Sequence, residues 1–388
     1  MRILVCASEA PLPPLNGMRL QLRALCEQLA QRHDVCVLAY RRPGQEGEPP
    51  PGVELLELAG PPPSALDRIV AVARREPVDP RRLAGPMRSS IARLRAERGF
   101  DVAHVMLGEL AGVAPALAGL PALIAPLDAW ALNVPAEVTS ARGARRVWRE
   151  LQLRAVERYV GFAYRPYRRV VLVTSEDADA SRRADPTLRT VVIPNGVDAE
   201  HFRPDASVQR DERSLLFTGV LDTPANEQAA QALAQRVLPR VRAAVPDARL
   251  VLAGRSPSAA VTALGGPGIE IVADAPDLRP LLRRAAVFAC AMESGTGIKN
   301  KLLEAMACGT PAVATPLAAQ GLDARDGEQL LIAPAGDRFA DAVARLLGDA
   351  ALRARLGAAG RQHVLVHRSW SAVADAYEAL YSEIRREV

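Results

Sequence analysis

The sequence predicts an α/β protein of two Rossmann-like, doubly wound domains that face each other across a cleft. Three observations lead to this fold class. The chain has 388 residues, more than a single hydrophobic core usually serves. Short apolar runs alternate with longer helical patterns, which is typical of parallel sheets covered by helices on both faces. The alternation stops at a polar stretch, residues 198–213, and then begins again.

The first half of the chain supplies the elements of one domain. Short runs rich in aliphatic and β-branched residues predict strands at residues 3–6, 35–39, 53–58, 102–106, 122–125, 170–173 and 191–193. Apolar residues at helical spacing lie between them, at residues 18–31, 86–98 and 144–163. We therefore expect residues 1–198 to form an N-terminal domain.

The second half repeats the pattern after the polar stretch, which carries Pro204 and many charges and which we interpret as the inter-domain linker. Strands are predicted at residues 214–218, 249–253, 269–272, 287–290 and 311–314. Helices are predicted at residues 226–244, 337–347, 350–367 and 371–386. We expect residues 199–370 to form a C-terminal domain, and the final helix, residues 371–388, to pack back on the N-terminal domain.

The composition is ordinary for a folded protein, with 49% hydrophobic and 24% charged residues. The net charge of +5 suits anionic partners such as nucleotide phosphates or acidic lipid head groups. We expect no nucleic-acid partner, because no basic run is interleaved with aromatic residues and no DNA-binding motif has the required spacing. The five cysteines are scattered without a C-x-x-C pair, so we predict buried thiols in a reducing compartment and no metal site.

Three stretches bear on the location of the protein. The apolar run at residues 3–7 is too short for a signal peptide. The uncharged stretch at residues 110–127 contains three prolines, which argues against a membrane-spanning helix. We therefore predict a cytoplasmic protein. The arginine-rich stretch at residues 142–169 is either a helix that contacts the inner face of a membrane or an ordinary packed helix.

Ligands of doubly wound domains bind beyond the carboxyl ends of the strands, so the loops at those ends are the informative places. The first loop, residues 7–17, runs into a helix that begins near Gly17, and a helix N-terminus is a ready anion site. Alternatively, Gly17 only eases a turn. Neither G-x-G-x-x-G nor G-x-x-x-x-G-K-[ST] occurs, which argues against a dinucleotide-dependent oxidoreductase and a P-loop NTPase.

One loop in the second half carries a more informative combination. Among 49 Lys plus Arg residues the lysines are Lys299 and Lys301, which suggests that a compact ammonium is needed there. Gly295 and Gly297 let the backbone approach a ligand closely. Glu304 follows in an otherwise apolar helix, where a carboxylate needs partners such as a ribose diol. Together these residues predict a nucleoside-diphosphate site, unless the glutamate has a structural partner.

Two segments resemble known signatures. Residues 297–315, Gly-Ile-Lys-Asn-Lys-Leu-Leu-Glu-Ala-Met-Ala-Cys-Gly-Thr-Pro-Ala-Val-Ala-Thr, resemble the donor-site signature of the retaining glycosyltransferases of family 4, which have the GT-B fold. Residues 193–198, Ile-Pro-Asn-Gly-Val-Asp, followed by Phe202, resemble the inter-domain hallmark of that family. The resemblance implies a nucleotide-sugar donor held by the C-terminal domain, a hydroxyl acceptor bound by the N-terminal domain, and neither a cofactor nor a metal. It also implies front-face transfer, in which the leaving phosphate accepts the proton of the acceptor.

The donor motif departs from the family pattern at two places. Glu304 is similar to the second, ribose-binding glutamate of the family's E-x7-E motif, whereas the position of the first glutamate is occupied by Thr296. No cation follows Gly219, where the family has an Arg and Lys clamp for the phosphates. We hypothesise that one of the two lysines, helped by Arg255, replaces that clamp and stabilises the departing diphosphate.

The candidate site residues follow from these points. Those for the donor nucleotide are Gly17, Gly219, Arg255, Asp274, Gly295, Thr296, Gly297, Ile298, Lys299, Lys301 and Glu304. The candidate catalytic residues are His104, Asp128 and Lys299. His104 is similar to the first histidine of the family's His-x-His position, and we expect it to end a strand and point toward the cleft unless it is structural. Asp128 is a candidate for binding acceptor or sugar hydroxyls.

Two other functions fit the same residues. A sugar-nucleotide epimerase of the same fold would convert one nucleotide-sugar without an acceptor. A non-catalytic nucleotide-sugar-binding protein would bind the nucleotide and transfer nothing, which agrees with the missing glutamate and the missing clamp. For a transferase, a polysaccharide or lipid-linked intermediate and a small natural product are both open as acceptors.

Overall fold

The computed structural model of the protein describes residues 1–12, 17–41, 46–59, 80–127, 147, 157–295 and 297–387. It consists of two compact units. The first contains Met1–Pro194 together with Val373–Val388, and the second spans Asn195–Ala372. The first boundary therefore falls just before the Asn-Gly-Val-Asp sequence, whereas the sequence analysis placed it after residue 198.

The first unit is built on a seven-stranded parallel sheet in the order β3-β2-β1-β4-β5-β6-β7. Its strands are β1 (Arg2–Ala7), β2 (Asp34–Arg41), β3 (Val53–Ala59), β4 (Val102–Met106), β5 (Ala122–Leu127), β6 (Arg169–Leu172) and β7 (Thr190–Val192). Its described helices include α1 (Gly17–Ala30), α2 (Pro80–Glu97) and α3 (Ser175–Ala184). All seven predicted strands are confirmed. Helix α2 begins at Pro80, whereas the sequence predicted a start at Pro86. Both prolines are suited to the first turn of a helix, so the sequence pattern did not distinguish them.

The strands are apolar along most of their length because the sheet is covered on both faces. Every residue of β4 is buried, and only Arg2 of β1 is exposed. Strand β1 lies between β2 and β4, with Ile3 opposite Val35 on one side and Val102 on the other. The order of winding reverses between these strands, which creates the kind of switch point where doubly wound sheets bind ligands.

The second unit contains a six-stranded parallel sheet in the order β10-β9-β8-β11-β12-β13. Its strands are β8 (Asp211–Val220), β9 (Arg249–Arg255), β10 (Ile269–Ala273), β11 (Ala285–Cys290), β12 (Ala312–Ala314) and β13 (Leu331–Ile332). Its helices include α4 (Pro224–Ala232), α5 (Leu238–Ala244), α6 (Ala259–Thr262), α7 (Arg279–Arg284), α8 (Asn300–Ala307), α9 (Asp337–Gly348) and α10 (Ala350–His367). A π-helical turn, Leu233–Val237, joins α4 to α5, so the predicted single helix contains an irregular turn. Strand β13 was not predicted because two residues show no period.

The final helix, α11 (Trp370–Arg386), contributes to both units. At its start Trp370 packs against Gly196 in the second unit, where a Cβ would lie 2.8 Å from the indole ring. Farther along, the helix packs on the first unit, where Arg32 forms an ion pair with Asp375 at 2.6 Å. The helix that the sequence analysis placed on the N-terminal domain is therefore also joined to the second unit.

The uncharged stretch at residues 110–127 is divided between two short elements. Most of its first part lies in a 3₁₀ helix, Gly108–Leu117, which contains Pro115, and its last part is β5. Across the parts of the chain that the structure describes, no helix combines the length and the apolar character that a membrane span requires.

Candidate functional site

Most of the donor-site candidates lie at the carboxyl edge of the sheet in the second unit. Strands β9, β8 and β11 are parallel neighbours, so the loops that follow them leave the sheet at the same edge. Gly219 and Gly254 are paired at the ends of β8 and β9. The loop after β11 leads into α8, which carries Lys301 and Glu304 on successive turns.

The paired glycines allow two strand ends to approach closely. Gly254 has a φ of +148°, and a Cβ at this position would lie 1.7 Å from the carbonyl oxygen of Gly219. A Cβ on Gly219 would lie 2.7 Å from Lys301 Nζ and 2.9 Å from Asn226 Nδ2. A side chain at either position would displace neighbouring groups, so this edge of the sheet requires glycine.

Lys299 stabilises the loop in which it lies. Gly295 and Gly297 have φ values of +101° and +71°, which turn the chain sharply before α8. The ammonium of Lys299 donates hydrogen bonds to the carbonyl oxygens of both glycines, at 3.1 and 2.7 Å, and the residue is only 6% exposed. Lys299 thus satisfies two carbonyl oxygens of the loop. It also occupies the N-cap position of α8, which has no side-chain cap.

Lys301 points from α8 toward the loop after β8. Its Nζ donates to Asn226 Oδ1 at 2.6 Å and lies 4.3 Å from the centroid of the Phe217 ring. Burial lowers the pKa of this ammonium to about 8, although the nearby Cys290 and Glu304 oppose the change. No described carboxylate lies within ion-pair distance of it, so a protonated Lys301 brings positive charge to this edge that only the more distant Glu304 offsets.

Glu304 is half-buried one turn farther along α8. Burial raises the pKa of its carboxyl group, and the charge of Lys301 opposes that rise. Within the described ranges the structure contains no hydrogen bond or ion pair to this carboxylate, so the structural partner considered from the sequence is not found there. Its two oxygens are therefore available to a ligand with hydroxyl donors.

Asn226 is a member of this group that was not predicted from the sequence. It lies in the first turn of α4 and donates from Nδ2 to the carbonyl oxygen of Val220 at 2.8 Å, while its Oδ1 accepts from Lys301. The sequence feature that could have indicated its role is an amide side chain in the first helical turn after a strand that ends near a glycine. This feature is weak evidence, because its partner Lys301 lies far along the chain.

The other candidates are placed as follows. Arg255 is exposed at the end of β9, and Asp274, with a φ of +49°, accepts a hydrogen bond from the backbone of Ser256 at 2.9 Å. Ile298 is half-buried against the core of the second unit. Gly17 is the first residue of α1 in the first unit. Thr296 and Asp128 lie outside the described residues. In the described segments, no three His, Cys, Asp or Glu residues are grouped so that they could hold a metal ion.

His104 occupies a different position from the one predicted. It lies in the middle of β4 and is fully buried, with Nδ1 2.7 Å from Tyr381 Oη and its ring stacked on Tyr377 at 4.9 Å between centroids. Burial lowers the pKa of the imidazole to about 3. The expectation that His104 ends the strand and points toward a cleft is wrong, because α11 covers this face of the strand. We therefore assign it a structural role.

We expect His104 to make the protein less stable as the pH falls. An unfolded histidine has a pKa of about 6.5, whereas burial holds the pKa of His104 at about 3. Between these values the unfolded chain binds more protons, so the free energy of unfolding should fall by up to about 1.4 kcal/mol per pH unit below about pH 6.5. Urea unfolding between about pH 7 and pH 5 measures this slope. The non-titrating variant His104→Gln should show a smaller slope, and equal slopes would contradict the assignment.

Comparison with known protein families decides the affiliation of the chain. The model described as Glycosyltransferase Family 4 matches residues 15–201, and the model described as Glycosyl transferases group 1 matches residues 212–349. The chain belongs to glycosyltransferase family 4. The matches cover both units and confirm the family that the donor and linker segments indicated.

Curated members of the family match over part of their length. The phosphatidyl-myo-inositol mannosyltransferase of Mycobacterium leprae is 31% identical over 204 residues, which cover 50% of this chain and 54% of that protein. The chain therefore spans about half the length of the curated relatives that it matches.

Solved structures establish the GT-B fold of this family 4 chain. Sucrose-phosphate synthase from Thermosynechococcus elongatus superimposes with a TM-score of 0.72 at 20% identity and covers 100% of both chains. Anabaena Alr3699/HepE in complex with UDP gives a TM-score of 0.69 at 15% identity and covers 99% of this chain and 100% of the other. The two parallel-sheet units described above are the α/β domains of this fold.

Proposed function

We propose that the protein transfers a sugar from a nucleoside-diphosphate sugar to a hydroxyl acceptor, with retention of configuration at the anomeric carbon and without a metal ion. The observation that carries the proposal is the pair of charged groups on α8. Within the described residues Glu304 has no hydrogen bond or ion pair, and it lies one helical turn from Lys301, whose ammonium bonds the neutral Asn226. A ribose diol and a diphosphate would satisfy both groups together.

The surroundings of this pair support a diphosphate. The N-terminus of α8 has no side-chain cap, and the positive end of its helix dipole favours a nearby anion. Gly295 and Gly297 allow a ligand to approach the loop backbone. One solved structural neighbour, Anabaena Alr3699/HepE, is described in complex with UDP and also in complex with UDP-glucose. We therefore propose that the second unit holds the donor.

The proposed reaction needs few groups from the protein. The bond between the anomeric carbon and the diphosphate oxygen breaks, and the acceptor oxygen forms the new bond on the same face. The hydroxyl proton passes to an oxygen of the departing diphosphate, which thereby acts as the base. Lys301 and the helix terminus stabilise the negative charge that develops there, an effect worth roughly a hundredfold or more in turnover for a single donor.

The acceptor is proposed to bind the first unit, and the mycobacterial relative indicates its class. That relative is named for mannosyl transfer to phosphatidyl-myo-inositol, so we favour a polyol or sugar hydroxyl carried on a lipid. Phe162 supports contact with a membrane surface, since it is 81% exposed on the helical segment 157–164 between Arg158 and Arg165. We propose a cytoplasmic protein that touches the inner face of a membrane.

The first test is a thermal-shift panel with UDP, GDP, dTDP, ADP and NAD, followed by assays with the matching nucleotide-sugars. Specific binding raises the free energy of unfolding by about 2.7 kcal/mol at a hundredfold excess over Kd, which shifts Tm measurably. We expect one diphosphate to stabilise the protein, its sugar conjugate to be slowly hydrolysed, and EDTA to leave both results unchanged.

The alternatives give different results in the same experiment. Formation of an epimer without an acceptor would favour an epimerase, and binding with neither hydrolysis nor transfer would favour a binding protein. Stabilisation by NAD alone, or by no nucleotide, would contradict the donor site.

A further inference from the structure

In the second unit, a lysine from α8 lies beside the loop that follows β8, and that loop has no cation of its own. That loop, Val220-Leu-Asp-Thr-Pro-Ala225, contains no lysine or arginine. Lys301 reaches the same place from α8, because its Nζ bonds Asn226 in the first turn of α4. The approach is possible because Gly219 has no side chain, and a Cβ there would lie 2.7 Å from the ammonium.

Asn226 is itself fixed in one orientation. Its Nδ2 donates to the carbonyl oxygen of Val220 at 2.8 Å, and its Oδ1 accepts from Lys301 at 2.6 Å. Rotation of the amide by half a turn would place two donors together and two acceptors together, so this orientation is favoured. The ring of Phe217 holds the ammonium from another side, at 4.3 Å from its centroid.

The partner of Lys301 is neutral, and this determines what the lysine can do. An aspartate at position 226 would form an ion pair and cancel the charge, whereas an amide orients the ammonium and leaves its charge in place. An ammonium has three donor hydrogens, and the described hydrogen bond to Asn226 takes one of them. The bond to Asn226 therefore leaves donor capacity and positive charge for an anion.

The two lysines have different tasks. Lys299 donates to the carbonyl oxygens of Gly295 and Gly297 and so shapes the loop. The ammonium of Lys301 donates to the side-chain oxygen of Asn226 and lies against the ring of Phe217 near the strand ends. Among the described residues, Lys301 is therefore the better placed of the two for a ligand's phosphates.

We propose that Lys301 binds the diphosphate of the donor, that Asn226 is the positioning residue that aims it, and that Gly219 provides the space. This assignment rests on the proposed function, because it requires a nucleoside diphosphate at this edge of the sheet. In this assignment the cation of the site comes from the helix after β11 and not from the loop after β8.

The test compares a nucleoside diphosphate with its nucleoside, namely UDP with uridine or GDP with guanosine, whichever pair the wild type binds. Calorimetry on the full chain gives the affinities. Asn226→Asp and Lys301→Met should each weaken diphosphate binding at least tenfold and leave nucleoside binding unchanged. Gln235→Glu is the matched control, because it adds the same charge at an exposed position of the turn between α4 and α5, and it should change both affinities less than twofold.

Four outcomes would overturn the assignment. Parallel loss of diphosphate and nucleoside affinity would indicate general damage to the site. Equal behaviour of Asn226→Asp and Gln235→Glu would show that the charge beside Lys301 does not matter. If the wild type binds no diphosphate at all, the proposed function fails and the assignment fails with it, whereas normal diphosphate binding by Lys301→Met removes the assignment alone. A melting curve of each variant identifies loss of folding.

Discussion

Replacement of Gly254 by alanine is expected to disrupt the paired ends of β8 and β9 and to abolish nucleotide binding. The new Cβ would lie 1.7 Å from the carbonyl oxygen of Gly219, and the φ of +148° is unfavourable for any residue with a side chain. The neighbour is backbone and cannot rotate away, so the strands must separate or the turn must change. We expect a loss of about 4 kcal/mol or more in the free energy of unfolding.

The measurement is a urea or thermal unfolding curve of Gly254→Ala beside the wild type, with nucleotide binding as the second readout. Gly266→Ala is the matched control, because Gly266 lies in the same unit, and a Cβ there would meet no atom within 4 Å. The control should unfold within about 1 kcal/mol of the wild type. A Gly254→Ala protein that is equally stable would show that the two strand ends are farther apart than described.

Replacement of Glu304 by glutamine is expected to weaken binding of the donor nucleotide by roughly tenfold to a hundredfold, because hydrogen bonds to a charged group contribute about 1.5–3 kcal/mol. Glutamine keeps the shape but loses the charge and one acceptor. The effect should depend on the ribose, so a 2′,3′-dideoxynucleoside diphosphate should bind wild type and variant equally. Calorimetry with both nucleotides measures this difference.

The same variant should gain stability in the absence of nucleotide. Burial already raises the pKa of the Glu304 carboxyl group, and no described residue bonds it, so the charge is costly in the empty site. Glu293→Gln is the control, because Glu293 lies on the exposed part of the preceding loop and pairs with Arg236 at 3.7 Å. Lower stability of Glu304→Gln would show that the carboxylate has a structural partner, and unchanged affinity for the nucleotide would contradict a ribose-binding role.

The fold was predictable because its signals are local. Each strand of the parallel sheets is an apolar run a few residues long, and each helix repeats an apolar spacing, so the alternation can be followed along the chain. The errors occur where the local signal is ambiguous. Pro80 and Pro86 are equally suited to begin a helix, and the two residues of β13 are too few to show a period.

The candidate site was predictable only in part, because its contacts join distant segments. The sequence indicates that Lys299, Lys301 and Glu304 belong together, since they lie on one loop and helix. The sequence does not show that the two lysines have different roles. Lys301 bonds Asn226, which lies on another helix, whereas Lys299 bonds backbone carbonyl oxygens of its own loop, and neither contact leaves a pattern in the sequence. His104 was misjudged for the same reason, since its partner Tyr381 lies near the other end of the chain.

The position of α11 also determines the order in which the protein can be completed as it is synthesised. The strands of the first unit are made early, but the helix that supplies Tyr377 and Tyr381 to cover His104 is made after the whole second unit. Until then the face of β4 that carries His104 lacks the side chains that cover it, so we expect the first unit to reach its final packing only after α11 has been made. The second unit is complete at Ala372, before that helix has been made, so we expect it to be able to fold without waiting for the helix.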